Sequence, residues 1–156
     1  MSSEKRKIAY IDGKPYEIGA NHTSILKFVK SYVGEKKVPT LCDDPNLAPY
    51  GACRVCSVEV ALEKDGPTKM VASCHTPVAE NQHIFTSNEA IINLRKNIVE
   101  LVLTDHPMEC DSCEVNNNCE LQTVANDLGI SDHRYNSPKQ HKGIPRDTSH
   151  DYMRMN

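Results

Sequence analysis

The stretch H-P-M-E-C-D-S-C-E-V-N-N-N-C, from His106 to Cys119, constrains this chain more than any other. A histidine is followed by cysteines at 110, 113 and 119, four soft or borderline donors within fourteen residues and enough to hold one metal centre. The remaining cysteines lie upstream, at 42, 53, 56 and 74. Seven cysteines plus one histidine therefore divide into two four-ligand sites. An odd number of thiols cannot pair off within one chain, and a reducing cytosol favours ligands over disulfides. No apolar segment follows the charges of M-S-S-E-K-R-K, so no secretory signal is expected. The expected setting is the cytoplasm, free or on the cytoplasmic face of a membrane complex, with no transmembrane span of its own. A formal charge of −3 and one short basic run, Lys5–Lys7, argue against nucleic acid as a partner. Hydrophobic residues make up only 38%, and a core this lean calls for metals or cross-links.

Around these donors the chain divides in two. Residues 7–18 alternate apolar and polar about Asp12-Gly13, which predicts a β-hairpin. Residues 23–33 switch to a helical period carried by Ile25, Leu26, Phe28, Val29, Tyr32 and Val33. Asn21 or Thr23 is the expected N-terminal cap and Gly34 the C-terminal one. A hairpin followed by a helix opens a β-grasp fold. Residues 39–53, with three prolines and a glycine, read as a loop of fixed shape whose N–H groups can face a cluster. Strands are expected over 54–62, 68–74 and around Ile84-Phe85, and the first domain is expected to end at residue 86. Thr86 and Glu89 have the spacing of a capping box. The helix behind them is expected to bury Ile91, Leu94, Ile98, Leu101 and Val102, with Arg95, Lys96 and Glu100 largely off that face. Asp105-His106-Pro107 ends it. A short helix follows over 120–128, stopped by Gly129. The second domain is expected over 87–130, with an extended polar tail over 131–156. The fold class is thus α+β, a β-grasp ferredoxin-like domain followed by a small helical domain.

Clusters of the 2Fe–2S type take four thiolates, two per iron. Cys53 and Cys56 form a close C-x2-C pair, Cys42 precedes it on the loop, and Cys74 closes from the paired strand. Plant-type ferredoxins use the same order of ligands with four residues, rather than ten, between the first two. A zinc site usually shows two close pairs, which fits these four less well. For His106, Cys110, Cys113 and Cys119 the spacing alone leaves a structural zinc site open. His75, next to Cys74, is expected to orient rather than ligate. The remaining histidines carry no expected role. No G-x-G-x-x-G or Walker-type loop is present, and no catalytic residue is expected.

P-T-L-C, Y-G-A-C-R-V-C-S-V-E-V, A-S-C-H-T-P-V and H-P-M-E-C-D-S-C-E-V-N-N-N-C-E-L-Q together resemble the N-terminal part of the large iron–sulfur subunit of respiratory complex I. The same module is similar to parts of iron-only hydrogenases, NAD-reducing hydrogenases and NAD-dependent formate dehydrogenases. The resemblance implies a 2Fe–2S cluster on Cys42, Cys53, Cys56 and Cys74. It also implies a 4Fe–4S cluster on His106, Cys110, Cys113 and Cys119. It further implies a hetero-oligomer in which single electrons pass between a flavin- and NAD(H)-binding subunit and a catalytic redox subunit of formate dehydrogenase or hydrogenase type. Family members usually continue into further cluster domains where this sequence reaches D-Y-M-R-M-N. The chain is therefore expected to be either a separate electron-carrying subunit or the N-terminal piece of a longer redox enzyme. The rival from another class is a zinc-stabilised docking scaffold.

Overall fold

The computed structural model describes residues 6–132, 134, 135 and 149–152. Strands β1 (Ile8–Ile11) and β2 (Lys14–Glu17) form the expected hairpin. Its turn residues Asp12 and Gly13 both have positive φ, 47° and 82°, the twist that two-residue hairpins favour. Helix α1 (Ile25–Val33) follows, then the long loop, and β3 (Ser57–Ala61) pairs antiparallel with β4 (Lys69–Ala72). The last strand, β5 (His83–Phe85), inserts in the middle, parallel to β1 and antiparallel to β3. The five-stranded order β2-β1-β5-β3-β4 is the β-grasp. Alternation along β1 turns Ala9 and Ile11 inward. They join Val58, Ala72 and Ile84 in a core closed by Ile25, Leu26, Phe28 and Val29 of α1. Each such large side chain contributes roughly 1.5–3 kcal/mol on burial.

Gly34 closes α1 as expected, but the N-terminal caps differ from expectation. Ser24, not Asn21 or Thr23, caps α1, accepting from Lys27 N–H at 3.3 Å. The next two N–H groups, of Ile25 and Leu26, donate to the carbonyls of Thr76 and Ser73, both at 2.9 Å. The start of α1 is thereby tied to the loop carrying Cys74. The Thr86–Glu89 capping box does not form. Thr86 is fully buried and donates its N–H and hydroxyl to the Asp12 carboxylate at 2.8 and 2.6 Å. The helix α2 (Glu89–Thr104) is capped instead by Asn88, which accepts from Ile91 N–H at 2.9 Å. Thr86 is drawn inward because the hairpin turn presents a carboxylate where β5 ends.

The buried face of α2 is also displaced. Ile91, Arg95, Val99 and Leu103 point inward, with Glu100 also buried, whereas Leu101 and Val102 are exposed. Apolar residues surround most of this helix, so its period did not select a face. A second core forms from Val99 and Leu103 of α2, Val124 and Ala125 of α3 (Glu120–Asp127), and Ile130. Val55 belongs to this core, and Leu41 and Cys53 pack against it. The two cores therefore meet at the C-x2-C pair. Most of the tail expected over 131–156 lies outside the described residues. No helix among the described residues is long and apolar enough to cross a membrane.

Candidate metal centres

The first centre is built on irregular backbone at one end of the sheet. Between Cys53 and Cys56, Arg54 takes φ 63°, and its carbonyl accepts from the N–H and hydroxyl of Ser57 at 3.1 and 2.6 Å. This tight turn aims the Val55 N–H at the Cys53 sulfur, which also receives the N–H groups of Leu41 and Cys42. The Cys42 sulfur receives those of Cys53 and Ala52. Burial pushes the Cys53 thiol up, but these donors and the Cys42 side chain outweigh it, leaving the thiol below its ordinary range. For Cys42 burial wins and the thiol is raised. Cys74 sits just beyond β4, where buried Ser73 donates its hydroxyl to the Cys56 carbonyl at 2.7 Å. Burial, then the neighbouring Cys56, push the Cys74 thiol up to about 12. His75 donates from Nδ1 to the Pro49 carbonyl at 3.1 Å, bracing the loop as expected of an orienting group.

These thiols gather in pairs. Cys42 and Cys53 share a side-chain hydrogen bond, Cys56 and Cys74 share another, and Cys42 also acts electrostatically on Cys74. Two thiolates per iron is the arrangement of a 2Fe–2S centre, and inward-facing N–H groups stabilise sulfur that carries negative charge. The donors present fit that group.

Gly51 makes the wrap possible. Its φ is 71°, and a Cβ there would stand 3.2 Å from the Cβ of Ala72. Gly51→Ala should cost about 1–3 kcal/mol of strain. The expected result is a lower melting temperature and less 2Fe–2S absorbance per chain, with the 4Fe–4S signal kept. Unchanged melting and cluster content would show that the loop tolerates another conformation.

The second centre begins where α2 ends. The N–H of His106 bonds the Leu103 carbonyl at 3.1 Å, leaving the ring exposed beside the chain that follows. Cys110 opens a single 3-10 turn, Cys113 N–H closes it on the Cys110 carbonyl at 3.1 Å, and Cys119 stands at the N-terminus of α3. Between them Asn117 takes φ 63°. Gln122 accepts from Asn117 N–H and donates to the Asn116 side chain, both at 2.8 Å, clamping the N-N-N loop from α3. Gln122 carries no expected role in the sequence, because its partners lie five and six residues back across an irregular loop. His106, Cys110, Cys113 and Cys119 all line one cavity of about 280 Å³, walled by Leu103, Met108, Leu121 and Ile130. A largely apolar chamber with four donors suits a cubane cluster, which takes one ligand per iron.

A β-grasp sheet with paired thiols on its end loops, joined to a helical unit with four donors around a chamber, defines an iron–sulfur protein of the ferredoxin type. The chain belongs to the 2Fe-2S iron-sulfur cluster binding domain family, whose model matches residues 7–89. Residues 95–134 match the NADH-ubiquinone oxidoreductase-G iron-sulfur binding region. The chain accordingly carries a 2Fe–2S and a 4Fe–4S binding region, which sets aside zinc. It is 34% identical over 137 residues to the NADPH-Fe(3+) oxidoreductase subunit alpha of Geobacter sulfurreducens, covering 88% of this chain and 15% of that protein. It is 37% identical over 131 residues to the NADP-reducing hydrogenase subunit HndD of Solidesulfovibrio fructosivorans, covering 80% of this chain and 21% of that protein. The chain thus spans about a fifth or less of these relatives. An NAD+-reducing [NiFe]-hydrogenase in the H2-reduced state shares the fold, with a TM-score of 0.73 and 22% identity over 93% of this chain and 57% of that one.

Proposed function

We propose that this chain relays single electrons between an NAD(H)-linked flavoprotein subunit and a catalytic subunit of formate dehydrogenase or hydrogenase type. Residues 1–86 form the unit of the 2Fe–2S cluster, held by Cys42, Cys53, Cys56 and Cys74. Residues 87–130 form the unit of the 4Fe–4S cluster, held by His106, Cys110, Cys113 and Cys119. The observation that carries this reading is the convergence of His106 and three cysteines on one chamber, next to a β-grasp whose four thiols face one another in pairs. When bound, the clusters accept and release single electrons. The chain contributes the N–H groups around the sulfurs, the apolar walls that limit water, and the packing that holds the two sites together. Leu47 and Tyr50, exposed on the loop around the first site, support docking of that end against another subunit. The assembly is hetero-oligomeric and works in the cytoplasm or on the cytoplasmic face of a membrane.

Protein purified without oxygen should be brown and contain about six irons per chain, the sum for the two cluster types. Stoichiometric zinc with little iron would overturn the reading. Affinity purification from the source should bring down a flavin-containing subunit, and reduction of both clusters by NADH should require that subunit. A monomer that oxidises NADH unaided would contradict the relay.

A further inference from the structure

Two charged side chains are buried among the described residues, Arg95 and Glu100. Glu100 is compensated by Arg134 at 2.7 Å. Arg95 forms no ion pair with any described residue. Its Nη2 donates to the carbonyl of Ser57 at 2.7 Å, and its Nε is buried with no partner among the described residues. Burying a guanidinium without a counter-charge is strongly unfavourable, so a fold that does it needs an anion nearby. The direction of the side chain identifies that anion. Ser57 directly follows Cys56, and among the described residues the Cys56 side chain acts on Arg95 electrostatically. Burial pulls the guanidinium down to about 10, far enough above neutral for it to stay charged. Four thiolates, two bridging sulfides and two ferric ions make the oxidised 2Fe–2S centre a net dianion, and reduction adds one more negative charge with no bond broken.

We propose that Arg95 is the buried counter-ion of the 2Fe–2S site. It reaches from α2, outside the sheet that carries the cysteines, and raises that site's reduction potential. A fixed cation in a low-dielectric surrounding stabilises the reduced cluster more than the oxidised one. The same contact makes the seating of α2 depend on the charge at the C-x2-C turn, so the two cluster units are coupled through one side chain. This inference rests on the ligand assignment proposed above.

The test is a redox titration of the full chain carrying both clusters, followed by EPR, for the parent, Arg95→Lys and Arg95→Gln. Glutamine keeps a polar amide but has no charge, whereas lysine keeps the charge. The glutamine variant should show at least a tenfold less favourable reduction of the 2Fe–2S cluster, a fall of about 59 mV or more for one electron. The lysine variant should stay near the parent, and the 4Fe–4S potential should change less than the 2Fe–2S potential. Loss of the 2Fe–2S cluster in the glutamine variant, with retention in the lysine variant, would equally support the counter-ion role. An unchanged potential in the glutamine variant would overturn it, as would failure of both variants to fold or load, since shape rather than charge would then be at stake. Absence of a 2Fe–2S signal in the parent would instead sink the ligand assignment.

Discussion

Cys56→Ala should abolish the 2Fe–2S EPR signal, leave the 4Fe–4S signal, and lower the iron content from about six to about four per chain. Cys56 is 1% exposed, and its thiol is partnered with that of Cys74. Removing it leaves one iron with a single protein ligand. The backbone around it should stay in place, because Ser73 bonds the Cys56 carbonyl and not its side chain. The cavity left by one sulfur costs on the order of 1 kcal/mol, and leaving Arg95 buried without the cluster's charge adds about 3–5 kcal/mol, so the melting temperature should fall while the fold is kept. The chamber of the second site is walled by residues from Leu103 onward, so its donors are untouched. Val55, which belongs to the second core, and Leu41 and Cys53, which pack against it, remain. Iron analysis, EPR of the reduced protein and far-UV circular dichroism check the three parts of this outcome. Loss of both signals from a protein that stays folded would mean that the eight ligands are wrongly divided.

The largest change at the second site is expected at His106. A coordinated histidine is neutral, whereas a thiolate is negative, so the histidine leaves the cluster less negative and easier to reduce. The two-histidine Rieske centres lie at least roughly 250 mV above plant-type ferredoxins, which puts one histidine on the order of 100 mV. His106→Cys should therefore keep a 4Fe–4S cluster and lower its potential by about that much. His106→Ala should lose or degrade the cluster, because the chamber then offers three donors instead of four. A redox titration followed by EPR at fixed pH separates these outcomes. An intact cluster at an unchanged potential in both variants would show that His106 merely ends α2. The ring is exposed and lines the chamber, so its ligation is read directly by this comparison.

The candidate donors, and their order, are read from the sequence alone. Cysteine in a chain of this kind has few other uses, and the gaps of the two sets restrict how they can gather. The hairpin, α1 and its glycine stop, the strands and α3 were also legible, because alternation, helical period and residues such as Gly13, Gly34 and Gly129 act over a few neighbours. The pairing of thiols into two couples was not. It depends on Ser73 and the start of α1 placing Cys74 beside Cys56, across eighteen residues of chain. The same distance effect moved the helix caps. Thr86 has a capping partner at the right local spacing, but the Asp12 carboxylate, seventy-four residues away, takes both its donors.

The face of α2 was decided by tertiary structure alone. Its sequence surrounds the axis with isoleucine, leucine and valine, so no hydrophobic stripe stands out, and a charged residue counts against burial in any local reading. Arg95 turns inward where the Ser57 carbonyl accepts from it, a partner written in another part of the chain. Local chemistry therefore determined which residues are the candidate metal donors and which segments are regular. The long-range placement of charges determined how those segments face one another, because an ion's preferred neighbour is set by distance in space and not by position in the sequence.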